Sequence, residues 1–207
     1  MPAPVGLGEF VVASLIVEIT PGPNMAYLVP LSAAQGRRAG LAAVAGVAAG
    51  LAVYGAIAAM GLAALIATVP AIYALLRWFG VLYLLWLAWE AWQDPPEQPT
   101  SNTASGDAAL AWRSFLVNVL NPKAGMFFVA ILPDFIAPDA GSIVQQNFAL
   151  IAIYVTIATA VHLAIAIGAS ALQPWFAAGE RRQALLRRTM AIALAGVAIW
   201  LFFNTRR

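Results

Sequence analysis

The sequence has no cysteine, a single histidine and a single lysine, and only 10% of its 207 residues are charged. Without cysteine there is neither a disulfide framework nor a thiolate metal site. One histidine, His162, with no ligand cluster at metal-binding spacing around it, leaves metal chemistry without a site. A soluble domain carries roughly 25% charged and roughly half apolar residues. Here the apolar share is 62%, so the chain reads as one polytopic membrane domain over residues 1–207, with the lipid bilayer as its surroundings. The net charge of +2 comes from basic residues that fall between apolar stretches. That pattern does not suit a nucleic-acid partner, and nothing in the sequence asks for a cofactor. No basic region precedes the first apolar stretch, so that stretch is expected to be a retained span and not a cleaved signal peptide.

Six apolar segments are long enough, or nearly so, to cross a bilayer as helices. They run from about Glu9 to Ala33, Leu41 to Ala67, Ala71 to Trp92, Arg113 to Ala137, Val144 to Leu172 and Thr189 to Phe203. The last is short, and arginines at its ends would have to snorkel. Gly46 and Gly50 in the second segment are four apart and would let another backbone approach closely. Whether that face packs within one chain or against a second copy stays open; it permits a homodimer without requiring one. Residues 94–112, rich in proline and then in small polar residues, read as a linker between a first repeat, 1–93, and a second, 113–207. With three spans on each side of it, two halves of the same fold must be inverted repeats. The expected fold is therefore all-α, with six spans and broken helices in the first and fourth.

Those breaks are the most informative feature. Pro21-Gly22-Pro23 interrupts the first segment, and Asn121-Pro122-Lys123 interrupts the fourth. Proline removes a backbone donor and clashes with the carbonyl one turn earlier. Glycine adds freedom. Backbone groups freed at membrane depth are tolerated only when buried in protein or lining a wet cavity, and paired interruptions in corresponding spans point to a transporter's binding site. The spacing from Pro21 to Pro122 is 101 residues and from Pro30 to Pro133 is 103, a weak internal symmetry. Two ordinary proline kinks would leave the same letters.

Arg37, Arg38, Arg113, Arg181, Arg182, Arg187 and Arg188 fall in connections on one face, which the positive-inside rule puts in the cytoplasm and both termini outside. Arg206 and Arg207 count against it, and Arg77 sits near the start of the third span. Trp78, Trp89, Trp92, Trp112 and Trp175 lie near span ends, as an interfacial belt would.

Thr20-Pro21-Gly22-Pro23-Asn24, followed by Gly36-Arg37-Arg38-Ala39-Gly40, resembles the N-terminal signature of the LysE/RhtB family of amino-acid exporters. Arg77-Trp78-Phe79-Gly80-Val81-Leu82-Tyr83-Leu84 is similar to that family's third-span motif, with Val81 in place of a smaller residue. The stretch from Phe115 through Asn121-Pro122-Lys123 to Leu132, Pro133 and Phe135 resembles its fourth-span motif. The resemblance covers nearly the whole chain. It implies a secondary transporter of a bacterial inner membrane, exporting amino acids or close derivatives on the proton gradient.

The residues at the breaks then become candidates: Thr20, Pro21, Gly22, Pro23, Asn24, Asn121, Pro122 and Lys123 for substrate, Glu18 and His162 for the proton. A lysine inside an apolar segment usually faces a partner or a cavity. Lys123, with N–H groups freed after Pro122, could take a substrate carboxylate, or it could form a structural pair with Glu18 or Asp134. Glu18 suits a substrate ammonium or a proton as well as it suits that pair. Asn24 and Asn121 suit either polar substrate atoms or repair of the broken helix. His162 has the right chemistry for proton transfer, though a lone histidine on an apolar helix is more often a buried residue satisfied by a neighbour.

Other classes fit less well. An intramembrane serine hydrolase needs a nucleophile beside a base, but Ser170 and His162 are eight residues apart on one span with no nucleophile turn. The chain is therefore not expected to be an enzyme. A channel or a lipid-handling protein of the same fold is the alternative.

Overall fold

The computed structural model describes residues 6–60, 70–93, 104–137 and 141–204. The last part of the expected second span (61–69), most of the expected linker (94–103), Arg206, Arg207 and the side chain of Arg77 lie outside the described residues. The regular structure among the described residues is helical.

Helix α1 (Leu7–Ile19) starts with the Glu9 carboxylate accepting from the Gly6 N–H at 2.5 Å, an acid where the helix dipole favours one. It stops at Thr20, whose backbone is extended because Pro21 follows. Helix α2 (Pro23–Ala59) restarts with Pro23 in the first turn, where the missing N–H costs nothing. It has two arms, 23–35 and 37–59, hinged at Gly36, whose φ of 84° only glycine adopts readily. This is the basic turn expected between the first two spans.

Helix α3 (Pro70–Trp92) precedes α4 (Ala104–Val119). After a break at Asn121 come α5 (Pro122–Met126), a π turn (Phe127–Ile131) and a 3₁₀ turn (Leu132–Phe135). Pro133, inside this run, cannot donate to the regular ladder, so the hydrogen-bond period changes around it. The two halves of this fourth segment meet at 53°. Helices α6 (Ile143–Ser170), α7 (Gln173–Ala177) and α8 (Glu180–Asn204) complete the chain.

Two boundaries differ from the sequence reading. Helix α4 begins at Ala104, not near Arg113, and so takes in residues 104–112 that had been given to the linker. Asp107 in its first turn suits the dipole and pairs with Arg38 at 2.8 Å. Arg113 is thus within a helix, half-buried, holding Glu90 through two 2.9 Å hydrogen bonds. Helix α8 begins at Glu180, not near Thr189, so Arg181, Arg182, Arg187 and Arg188 are helical and not in a loop. Arginine, glutamine, leucine and alanine are all good helix formers. The Arg182 guanidinium lies 4.5 Å over the Trp175 ring, and that of Arg188 lies 6.0 Å from Trp92.

The second arm of α2 is the central pillar, packed against α4 and α6, while α3 packs against α8. Gly46 sits on the Ala111 carbonyl, and a methyl group at Gly50 would stand 2.6 Å from Asn118 Nδ2. The small-residue face therefore packs inside the chain, onto α4. The outer surface is apolar: Trp89 is 64% exposed and Ile192 65%. Ser14, Glu18, Ser32, Ser114, Asn118, Asn121 and His162 are buried. Polar inside and apolar outside is the arrangement a lipid solvent selects. Among the described residues three helices, Pro23–Ala59, Ile143–Ser170 and Glu180–Phe203, are long and apolar enough to cross a membrane, and the bent pair Ser105–Val119 with Pro122–Phe135 makes a fourth if it is one span. This is a multi-pass membrane protein.

Candidate functional site

The two breaks meet. Lys123 reaches across to donate from Nζ to the Thr20 carbonyl at 2.5 Å. Gly22 faces the same side chain: a Cβ there would lie 3.3 Å from Lys123 Cδ and 3.6 Å from Nζ. Its φ of −166° is extended backbone that any residue adopts, so closeness to Lys123, not conformation, is what glycine provides. Asn24 Nδ2 donates to Asn118 Oδ1 at 2.8 Å, tying the restarted α2 to the end of α4.

Asn121 acts first as a helix cap. Its side chain accepts from the Lys123 N–H at 3.0 Å, and its carbonyl accepts from the N–H groups of Ala124 and Gly125 at 3.1 and 3.3 Å. With Pro122 lacking an N–H, the donors expected to be free after the second break are thus engaged. The first break is different. Gly22 has no side chain to cap α2, whose opening hydrogen bond is from Ala26 N–H to the Gly22 carbonyl at 2.9 Å. Pro21 faces away from this point, along an apolar cavity.

Glu18, one turn before the first break, is 6% exposed and does not take Lys123 as its partner. Its Oε1 accepts a hydrogen bond from Tyr154 Oη at 2.5 Å, and its Oε2 lies 3.5 Å from His162 Nε2. Asp134 is on the exposed surface of the 3₁₀ turn. The Tyr154 ring is stacked on Phe127, centroids 3.5 Å apart and 9° from parallel, which fixes the hydroxyl against the carboxylate. Burying a carboxylate is costly unless hydrogen bonds compensate, and here α6 supplies both neighbours.

Glu18, Gly22, Asn24, Asn121, Lys123, Tyr154 and His162 line one cavity of about 10 Å³. It brings together Glu18, His162 and half of the break residues expected from the sequence; Thr20, Pro21, Pro23 and Pro122 are not in its lining. Thr20 borders it through its carbonyl, while its hydroxyl donates to the Ile16 carbonyl. Ser170, weighed as a nucleophile, donates to the Ile167 carbonyl.

Two members of the site escaped sequence reading. Asn118 was visible only as part of a motif, and Tyr154 was not singled out. Tyr154, Ala158 and His162 repeat at four-residue spacing along α6 and are all buried. Two polar groups on one helical stripe, separated by a small residue, were the available signal.

The sequence profile of the family described as LysE type translocator matches residues 15–205. The chain belongs to the LysE type translocator family. Similar relatives include an uncharacterized membrane protein of Vibrio cholerae, 30% identical over 131 residues, which are 62% of this chain and 64% of the relative. A leucine efflux protein of Klebsiella pneumoniae is 32% identical over 134 residues, 63% of each chain. A leucine efflux protein of an Enterobacter species is 28% identical over 134 residues, 63% of this chain and 64% of the relative. The chain thus matches somewhat less than two thirds of the length of these relatives. No solved structure matches it.

Proposed function

We propose that this LysE-family protein is a secondary-active exporter of amino acids or close derivatives, and that the zwitterion is held at the first break. The observation that carries this reading is the bond from Lys123 to the Thr20 carbonyl, which brings a cation from the second break onto the ends of the first. There the C-terminus of α1, with Glu18, is the negative side, and the uncapped N-terminus of α2, with Lys123, is the positive side. An amino acid's ammonium and carboxylate match these two ends. Thr20, Pro21, Gly22, Pro23 and Asn24 form the cradle; Asn121 and Pro122 hold Lys123 in place.

A cavity of about 10 Å³ has room for about one water. The arrangement described is therefore a closed one, in which the Thr20 carbonyl occupies the position a substrate carboxylate would take on Lys123. Glu18, bridged to Tyr154 and His162, is the proton-binding group that couples transport. The efflux activity named for the relatives from Klebsiella and Enterobacter supports amino acids as substrates.

The chain is proposed to cross a bacterial inner membrane six times, as inverted repeats 1–93 and 113–207. In support, α2 and α5 both restart on a proline in the first turn, Pro23 and Pro122. Arg38, Asp107 and Arg188 gather with the ends of α3 and α4 at one end of the bundle, which the positive-inside rule assigns to the cytoplasm, with the termini in the periplasm.

Proteoliposomes loaded with unlabelled amino acid test this reading. Labelled amino acid outside should accumulate transiently by counterflow, and an imposed proton gradient should drive net export that an uncoupler abolishes. Flux without counterflow or saturation would mean a channel.

A further inference from the structure

The polar cavity has no room for a side chain, yet a much larger cavity adjoins it. It measures about 620 Å³, lies between the first arm of α2 and α8, opens to the outside of the bundle where Val29 and Trp200 are exposed, and is lined almost wholly by apolar groups, among them Met190, Ala193 and Val197. Small-molecule sites typically enclose roughly 300–1,000 Å³ of mainly apolar surface with a few polar groups at one side. Here the polar groups lie in the neighbouring cavity, and the two share a wall made by Gly22 and Met25. Gly22 presents no side chain, and methionine is the most pliable of apolar side chains.

We propose that this cavity is the side-chain subsite of the transporter, selecting amino acids with large apolar side chains, and that Met190, Ala193 and Val197 of α8 set their size. The inference rests on the zwitterion site at the first break. A substrate with its carboxylate on Lys123 and its ammonium toward Glu18 has its α-carbon beside Gly22. From there the way past Met25 leads into the apolar space. A charged side chain sent the same way would meet no opposite charge among the lining residues, and desolvating it would be costly. Glycine and alanine would bind through their charged groups alone, leaving the cavity unused.

Gly196 gives a clean test. It lines the cavity, and a Cβ added to it meets nothing within 4 Å, so a larger residue enters open space without disturbing the helix packing. Gly168 of α6 is equally open, lines neither cavity and serves as control. Full-length protein in proteoliposomes is assayed by counterflow of labelled leucine, phenylalanine and alanine. In G196F, leucine and phenylalanine should lose about tenfold or more in transport efficiency, the scale on which apolar pockets discriminate, while alanine changes less than about twofold on the same scale. Met190→Ala, which enlarges the cavity, should favour phenylalanine over leucine relative to the parent. G168F should behave as the parent. An equal loss for all three substrates in G196F, or no change for any, overturns the subsite; the latter would make the cavity a groove for lipid. Failure of the parent to carry any amino acid would instead overturn the proposed function, and the subsite with it.

Discussion

The two helix breaks are built alike and finished differently. Each stops a helix, extends the chain through a capping residue and restarts on a proline, Pro23 in one and Pro122 in the other. At the second, Asn121 closes the ends: side chain and carbonyl together satisfy the donors of the following turn. At the first, Gly22 closes nothing, and the helix behind it opens without a side-chain cap. A helix end left uncapped inside a protein is normally a defect. Beside the Lys123 ammonium it has the chemistry to receive an anion. In the proposed function the second break is thus a mount for Lys123, and the first is the seat. The free donors follow the residue that lacks a side chain, not the break that carries the charge.

The largest effect should come from separating mount and seat. Lys123→Ala removes the charged partner of the substrate carboxylate, a loss on the order of 2–5 kcal/mol, so substrate affinity should fall roughly 30-fold or more. The fall should be similar for every substrate, because all share the α-carboxylate. The protein should still insert and fold, since the fourth segment stays apolar; thermal unfolding in detergent checks this beside a binding titration. Lys123→Arg should keep partial activity, the guanidinium being larger and planar. A Glu18→Gln, Lys123→Met double variant that still exports like the parent would dismiss both roles.

Next comes coupling. Glu18→Gln should abolish accumulation driven by a proton gradient and lower counterflow far less, because exchange of substrate for substrate needs no proton and loses only one of the groups facing the ammonium. Tyr154→Phe keeps the ring stacked on Phe127 but removes the 2.5 Å hydrogen bond to Glu18. It should shift the pH profile of export with a smaller loss of rate. Unchanged gradient-driven export in both variants would take the proton away from Glu18.

A smaller effect tests the asymmetry itself. Gly22→Ser gives the first break the cap it lacks. If the open donors receive the carboxylate, affinity should fall about two- to fivefold, matching the roughly 0.3–1 kcal/mol of a helix-terminus interaction. Gly22→Ala, which crowds Lys123 without capping, corrects for bulk. Smallest for transport should be Asn121→Ala: stability drops by about 0.5–2 kcal/mol, as for other lost caps, while affinity changes little. Greater loss of affinity in Asn121→Ala than in Gly22→Ser would reverse the roles of the two breaks.

Much of this was legible in the letters, for physical reasons. Proline acts locally, so Pro21, Pro23 and Pro122 announced both interruptions without knowledge of their neighbours. Lys123 and Glu18 stood out because charge is rare in the spans. What the letters could not show was pairing across distance. Lys123 was weighed against Glu18 and Asp134 because opposite charges attract, yet Tyr154 and His162 on α6 claim Glu18 first, and a carbonyl takes Lys123. Tyr154 was not singled out, since its hydroxyl matters only through its contact with α1. The arginines near residues 181–188 looked like a loop because charge was read as a break in an apolar span. Their straight-chain stems are good helix formers, and α8 simply continues through them. Donors at the second break seemed free because the letters left Asn121 equally suited to helix repair and to substrate, and only the folded chain shows it capping.

The most direct measurement is a binding cycle that alters the carboxylate on one side and Lys123 on the other. Affinities of an amino acid and its carboxamide are compared in the parent and in Lys123→Met. With the carboxylate seated on Lys123, the parent prefers the acid strongly, and that preference largely disappears in Lys123→Met. An undiminished preference for the acid in Lys123→Met would contradict it, and would mean that the substrate's carboxylate binds elsewhere.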